Sequence, residues 1–333
     1  MENDSLNSSS SLAIELLNLH KEYNGITAVD NLNLKIAEGE IFGLLGPNGA
    51  GKSTTTNILS GRILPTAGTA TVLGYDVLKE IRRIKGIIGV APQEITLYEH
   101  LTAKEMLQLM GDLYGVPKSA LGEKIHELLQ FSGLDRKKQR IKTFSGGMKR
   151  RLNLVASMVH DPEILLLDEP TVGVDPQQRR RIWDMILDLK ERGKTVILTT
   201  HLMDEADRLC DRVAIMDHGK IIALDVPSKL KKELGGKQVI EIVAEQPGIL
   251  SSELDKIKGI SEVLRSNHTN LEWEEPVGHL QVVSEAGMDL LPAVIYAAQL
   301  TRVKIESVAI REINLEDVFL ALTGRSLRED EER

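Results

Sequence analysis

The sequence predicts an α/β fold: a phosphate-loop core with an antiparallel β subdomain and a helical subdomain, followed by a small α+β domain. Three observations carry this expectation. Gly46-Pro47-Asn48-Gly49-Ala50-Gly51-Lys52-Ser53-Thr54 satisfies G-x-x-x-x-G-K-[ST] between the apolar run Ile41 to Leu45 and a segment, Thr54 to Leu59, that continues as a helix. Ile164 to Leu167 is a continuous apolar run that closes on Asp168-Glu169, the pattern of a central parallel strand covered on both faces. From Thr102 the apolar spacing changes from strand-like to helical, which places a helical insert between strands.

Residues 1–11 carry a serine run with neither a basic nor an apolar leader pattern and read as a disordered tail. Ala13 to Leu19 and Ile26 to Ile36 alternate apolar and polar residues, which predicts two antiparallel strands around a turn at Lys21 to Gly25. Tyr23 in that turn is either a packing residue or a flat π-face for a base upstream of the phosphate loop. In the loop, glycines let successive N–H groups curl around an anion, and the following helix adds its positive dipole end. Lys52 is placed to reach terminal phosphates as a point charge, and the Ser53 hydroxyl to ligate Mg²⁺.

Gly68 to Leu73 and Gly86 to Ala91 read as further strands, the second ending at Pro92-Gln93-Glu94. A neutral amide at a strand end can ligate a metal, orient water or sense a phosphate, and can equally be a surface glutamine. Thr102-x-x-Glu105 is a capping box, and Met106, Leu109, Met110 and Leu113 form an apolar stripe, either core or part of a groove for a partner helix. A second helix is expected from Glu123 through Phe131. Ser145-Gly146-Gly147 opens another helix through Val159 and is either an N-cap or a second anion site. The basic triplets Lys149-Arg150-Arg151 and Arg179-Arg180-Arg181 read as solvated helix faces.

Ligands of open α/β sheets sit at the carboxyl ends of the strands, which is where Asp168 and Glu169 fall. Asp168 is placed to hold Mg²⁺ through water, and Glu169 to act on an attacking water as base or orienter. Thr195 to Thr200 repeats the design and ends at His201; Val213 to Met216 and Ile221 to Leu224 form a closing hairpin. The only cysteine, Cys210, cannot form an internal disulfide and reads as a small core residue in a reducing setting.

Tyr23, Gly46 to Ser53, Gln93, Ser145-Gly146-Gly147, Asp168-Glu169 and His201 occur in one order that resembles the ATP-binding cassette (ABC) family, over roughly residues 12–225. The resemblance implies an ABC ATP-binding domain over 12–225, with a helical subdomain at about 95–160. By the same resemblance Gly46 to Ser53 is Walker A, with Thr54 beside it, and Gln93 is the Q-loop, a further Mg²⁺ ligand. Ser145 to Met148 is the signature, Asp168 with Glu169 is Walker B, Asp175 is the D-loop and His201 is the switch histidine. Met148 departs from the usual Leu-Ser-Gly-Gly-Gln signature, while the Ser and Gly residues are kept. The family also implies ATP and Mg²⁺ as cofactors, a homodimer in which one chain's signature covers the other chain's Walker A, and an integral-membrane permease.

Residues 226–325 begin a new pattern: strands at Gln238 to Ala244, Ile260 to Ser266 and Val303 to Ile310, a helix over Leu290 to Ala298, and a short helix capped at Ser252-x-x-Asp255. A hairpin is expected between Leu271–Trp273 and His279–Val283, and the whole reads as a split β-α-β arrangement. The segment from Asn314 to Arg325 resembles the tail of cassettes from drug and lipid exporters of the daunorubicin type. Residues 326–333 form a charged tail.

Composition bounds the reading. The 333 residues are 42% hydrophobic and 27% charged with net charge -8, an ordinary globular balance that argues against a nucleic-acid footprint. No apolar run approaches the ~18 residues needed to cross a bilayer, so a membrane role is expected through a partner, on the cytoplasmic face of the membrane. Two alternatives compete. A soluble cassette ATPase acting on DNA or the ribosome predicts long coiled coils or a second cassette, and a P-loop small-molecule kinase leaves Ser145-Gly146-Gly147 unexplained.

Overall fold

The computed structural model describes residues 11–135, 138–233, 238–266, 277–284 and 287–324, and all element counts refer to these residues. The chain divides into two compact units, Met1–Pro227 and Ser228–Arg333.

In the first unit β1 (Leu12–Tyr23) and β2 (Ile26–Ala37) form a long antiparallel ribbon. Strand pairing runs to Tyr23 opposite Ile26, so the expected Lys21-to-Gly25 turn shrinks to Asn24-Gly25. Next come β3 (Ile41–Leu45), α1 (Lys52–Leu59), β4 (Ala67–Val72) and β5 (Tyr75–Asp76). These are followed by α2 (Ile81–Ile87), which was not legible in the sequence, and β6 (Ile88–Ala91). The helical segment holds α3 (Ala103–Leu113), α4 (Lys118–Phe131) and α5 (Gly146–Ala156). The remainder is β7 (Ile164–Asp168), α6 (Pro176–Glu191), β8 (Thr195–Thr200), α7 (Met203–Leu209), β9 (Arg212–Asp217) and β10 (Lys220–Asp225).

These strands build two sheets. The antiparallel one has the order β2-β1-β4-β5; the other has the order β10-β9-β3-β8-β7-β6 and is parallel from β9 to β6. Ile164 to Leu167 and Val196 to Leu198 are at most 1% exposed, which explains their unbroken apolar character. A shared core of Ile14, Leu16, Phe42, Leu44, Ile58, Ile84, Leu166 and Ile197 fixes α1 and both sheets together. The carboxyl ends of β3, β7 and β8 therefore come side by side, because parallel pairing places Leu45 opposite Thr200 and Asp168 opposite Thr199.

The capping box forms as expected: Thr102 accepts from the Glu105 amide at 3.2 Å, and the Glu105 carboxylate accepts from the Thr102 amide at 2.8 Å. The Met and Leu stripe is only partly core. Met106 is buried, Met110 is half-buried and Leu113 is 71% exposed.

The second unit begins with most of α8 (Pro227–Glu233) and holds β11 (Gln238–Glu245), α9 (Pro247–Leu254), β12 (Ile260–Ser266), β13 (Val277–Ser284), α10 (Leu291–Thr301), β14 (Ile305–Glu312) and α11 (Leu315–Thr323). Its sheet order, β12-β13-β11-β14, with α9 and α10 as crossovers, is a split β-α-β arrangement around Ile240, Ile242, Leu280, Val282, Leu250 and Val294. The expected Ser252 cap is not used: α9 starts at Pro247, whose fixed φ suits a first helical position, and ends at Leu254. The strand expected at Leu271–Trp273, residues 1–10 of the N-terminal tail and the charged tail 326–333 lie outside the described residues.

Candidate functional site

The phosphate loop follows β3 directly. A Cβ at Gly46 would stand 2.2 Å from the Met216 carbonyl oxygen, and one at Gly51 2.4 Å from that of Ala28, so both positions admit only glycine. Asn48 and Gly49 form the exposed crest, and Ala50 is pinned below it, its carbonyl accepting from the Gly219 amide at 3.1 Å. Lys52 is buried and donates Nζ to the Gly46 and Pro47 carbonyls at 2.6 and 2.8 Å, within its own loop. Burial pulls the Lys52 ammonium below its ordinary pKa, against the opposing charges of Glu169 and Asp168. Ser53 and Thr54 follow Lys52 in the first turn of α1 and are half-buried.

Three strand ends converge on Ser53 and its neighbours. Ser53 Oγ donates to Asp168 Oδ1 at 3.1 Å, and Thr199 Oγ1 donates to the same carboxylate oxygen. Glu169 is 5% exposed, and its two oxygens are divided between partners. Oε2 accepts from Gln93 Nε2 at 2.9 Å, while Oε1 lies 3.1 Å from His201 Nδ1. Burial pushes the Glu169 carboxyl up, but the His201 hydrogen bond and charge, with Lys52 and Arg150, outweigh it and hold the group below the ordinary range. Its backbone is left-handed at φ 46°, a conformation costing a non-glycine residue about 1–3 kcal/mol. The Glu169 amide compensates by donating to Thr199 O and Oγ1, each at 3.1 Å.

The sequence-predicted residues Ser53, Gln93, Asp168, Glu169 and His201 are thus joined through Thr199 in one cluster, with the Lys52 charge acting on both carboxylates. Tyr23 ends β1, 42% exposed, with Lys21 Nζ 4.8 Å from its ring centre. Ser145 caps α5, its hydroxyl accepting from the Met148 amide at 3.3 Å, and Gly146 is exposed beside it. Gly147 is buried, and a Cβ there would stand 2.6 Å from Gln178 Cγ. Asp175 caps α6 by accepting from the Gln177 and Gln178 amides at 3.1 and 3.0 Å. Ser145 to Gly147 and Asp175 therefore form a second locus, the start of two adjoining helices.

Some participants were not anticipated. Arg150 and Arg151 were expected on a solvated face, yet both are 6% exposed. Arg150 donates to the carbonyls of Gln93 and Glu169, and Arg151 to that of Ser132. The helical spacing Gly147, Arg150, Arg151, Leu154 puts them on the buried face, a signal the charge pattern masked. Thr199, one strand over from Asp168, was read only as part of an apolar run. Among the described residues, no helix is long and apolar enough to cross a membrane. A groove of about 730 Å³ lies beside Gln93, lined by Val90, Pro92, Met106, Met110, Leu113 and Tyr114 among others.

The arrangement can cradle phosphates, hold a carboxylate ionised against burial, and aim it with an amide and an imidazole. Comparison with known proteins agrees with this chemistry. A family profile described as ABC transporter matches residues 29–172. The chain is 40% identical over 316 residues to the linearmycin resistance ATP-binding protein LnrL of Bacillus subtilis, covering 94% of this chain and 98% of that one. It is 38% identical to the daunorubicin/doxorubicin resistance ATP-binding protein DrrA of Streptomyces peucetius, over 96% and 94% of the two chains. Nod factor export ATP-binding protein I of Sinorhizobium fredii is 40% identical over 98% and 91%. Among solved structures, an ABC transporter ATP-binding subunit superposes with TM-score 0.61 at 27% identity, covering 67% of this chain and 93% of that one. The ATP-binding cassette MJ0796, solved as a dimer with ADP and Pi, gives 0.59 at 27%, covering 64% and 98%. The chain belongs to the ABC transporter family and is an ATP-binding, ATP-hydrolysing subunit of such a transporter.

Proposed function

We propose that two copies of this chain clamp ATP between them and drive a separate integral-membrane permease that exports an amphiphilic drug, lipid or related molecule. The observation that carries the proposal is the hydrogen-bonded cluster of Ser53 with Asp168 and of Gln93 and His201 with Glu169, the two halves joined by Thr199, beyond the phosphate loop. In this reading the loop amides from Gly46 to Thr54 hold the β- and γ-phosphates, and Lys52 exchanges its two carbonyl partners for phosphate oxygens. Tyr23 stacks on the adenine.

Ser53, Asp168 and Gln93 supply a few hard oxygen donors, and among the described residues no cluster of three or more His, Cys, Asp or Glu could hold a metal alone. That donor set fits Mg²⁺, which keeps water and substrate phosphates among its ligands. When bound, Mg²⁺ neutralises charge on the phosphate oxygens. Glu169 takes a proton from water as the water oxygen forms its bond to the γ-phosphorus and the bond to the ADP oxygen breaks. Gln93 and His201 fix the two oxygens of that carboxylate.

Ser145, Gly146, Gly147 and Asp175 supply the face that covers the nucleotide of the second copy. The groove beside Gln93, with Met110 and Leu113 open to it, suits an apolar helix of the permease. The chain then sits peripherally on the cytoplasmic face of the cell membrane. Its net charge of -8 and the drug-resistance and Nod factor export names of its relatives favour this over action on nucleic acid or the ribosome. Affinity capture of the tagged full chain from detergent-solubilised membranes tests the proposal: an integral-membrane protein is retained, and its deletion abolishes ATP-dependent efflux of a fluorescent amphiphile. Capture without a membrane protein, with efflux unchanged in a strain lacking this chain, overturns it.

A further inference from the structure

Arg150 stands one turn into α5, the helix opened by Ser145-Gly146-Gly147, and its guanidinium spends its donors on backbone carbonyls of two distant segments. Nη1 donates to Gln93 O at 2.6 Å and to Pro92 O at 3.3 Å, and Nη2 donates to Glu169 O at 2.8 Å. Asn153, three residues further along α5, donates Nδ2 to the same Pro92 carbonyl at 3.2 Å. One planar group thus holds both peptides whose side chains meet at 2.9 Å, Gln93 Nε2 to Glu169 Oε2. It also braces the left-handed backbone that aims Glu169, from the carbonyl side, while Thr199 braces it from the amide side.

We infer that Arg150 is a positioning residue for hydrolysis, coupling the placement of Ser145–Gly147 to the aim of Glu169 and Gln93 in the same chain. This rests on the reading of Glu169 as the carboxylate that receives the proton of water, and of Ser145–Gly147 as the face closing on a second copy's nucleotide. A shift of α5 on closure is transmitted, through a rigid fork rather than a flexible contact, to the Gln93 and Glu169 peptides. Nucleotide seated against one chain's signature then aligns that chain's own Glu169, so the two sites of the dimer turn over cooperatively. A lysine cannot substitute, because one ammonium has no fixed fork with which to span both carbonyls.

The test uses the purified full-length chain as wild type, R150K, R150A and E169Q, with fluorescent-nucleotide affinity, kcat, KM and Hill coefficient measured for each. R150K is expected to keep nucleotide affinity near wild type, to lose about tenfold to hundredfold in kcat, as misplacement of reacting groups does, and to lose the cooperativity of the wild type. Methylguanidinium, but not methylamine, restores part of the R150A turnover. If R150A does not fold, R150K carries the test alone. R150K with wild-type kcat and cooperativity overturns the inference, as does R150K losing affinity and kcat in parallel with cooperativity intact, which marks a packing role. Wild-type turnover in E169Q overturns the underlying reading of the site instead.

Discussion

Glu169 and His201 meet with Oε1 3.1 Å from Nδ1, at the ends of the adjacent strands β7 and β8. The imidazole, 19% exposed, holds one oxygen of the carboxylate, and the other is fixed by Gln93. A group held this way is aimed and ionised before substrate arrives, which is what proton abstraction from a poorly acidic water requires.

Replacing Glu169 by Gln keeps shape and hydrogen-bonding capacity but removes the carboxylate proposed to accept the proton. The expected loss in kcat is about 10²–10⁴-fold, with nucleotide affinity retained and an ATP-dependent dimer accumulating. Steady-state ATPase assays and gel filtration with and without ATP check both. Lys52→Ala behaves differently, because it removes the only charged donor of the loop: affinity and turnover fall together. An E169Q protein that hydrolyses at the wild-type rate would remove the carboxylate from the reaction.

The pH dependence follows from the environment of Glu169. Burial raises its carboxyl, and the hydrogen bond and charge of His201, with Lys52 and Arg150, bring it below the ordinary value of 4.5. The folded value is depressed, so this group's contribution to stability is complete above the ordinary carboxylate range and is lost as pH falls through the lowered folded value. His201→Ala deletes the strongest of the lowering contacts and leaves burial in place. The acid limb of kcat/KM then moves to higher pH in H201A, and an unmoved limb would show that His201 does not tune the carboxylate.

Glu205 presents the opposite case. It is fully buried on α7 and accepts from Thr171 Oγ1 at 2.7 Å and Trp183 Nε1 at 3.1 Å. Burial raises its pKa, and the hydrogen bonds of Thr171, Thr200 and Trp183 and the charge of Arg179 only partly offset it. For an acid with a raised folded value, stability falls as pH rises from the ordinary carboxylate value to the raised one, and stays level above it. Glu205→Gln keeps an acceptor oxygen for Thr171 and Trp183, abolishes that slope, and leaves the protein at least as stable at neutral pH. Glu205→Ala strands the buried Thr171, Thr200 and Trp183 donors, at about 1–3 kcal/mol for each one left unsatisfied. Urea titrations followed by far-UV circular dichroism across pH separate the two, and an E205Q protein weaker than E205A would refute the account.

The legibility of the site followed the range of its interactions. Gly46 to Ser53 and Asp168-Glu169 were readable because each is a local pattern whose neighbours in sequence, Ile41 to Leu45 and Ile164 to Leu167, declare a buried strand. His201 and Gln93 needed the order of motifs, since a single polar residue at a strand end has many uses. Arg150 was misread because what buries it is tertiary: its partner carbonyls stand 57 and 19 residues away in sequence. Thr199 escaped because a threonine in an apolar strand gives no sign that its hydroxyl will bridge Asp168 and the Glu169 amide. In the second unit, alternation in Gln238 to Glu245 marked β11, whereas the start of α9 was misplaced because a serine cap pattern outweighed Pro247.

The tail motif has a structural explanation in Arg311 and Asp317. Asp317 closes the capping box of α11, accepting from the Asn314 amide at 2.8 Å and donating its own amide to Asn314 Oδ1 at 3.0 Å. The same carboxylate receives a two-pronged bond from Arg311, Nη1 at 2.6 Å and Nη2 at 2.8 Å, while Arg311 Nε reaches Glu241 on β11 at 2.7 Å. One guanidinium thereby staples α11 to the sheet, and its pKa is pushed up, first by the Asp317 hydrogen bond. Asp317 is 3% exposed, so removing its partner leaves a buried carboxylate, whereas Arg311 is 27% exposed. Breaking such a pair costs 3–5 kcal/mol when both members are buried, which sets Arg311→Met at about 3 kcal/mol of the second unit's stability. Asp317→Asn loses the charged fork but keeps an oxygen for the Asn314 amide, and falls between R311M and wild type. Amide hydrogen exchange over residues 311–324 in the full-length protein checks this, with protection of α11 falling in R311M more than in D317N; equal protection in both variants and wild type would show that the staple does not hold the helix.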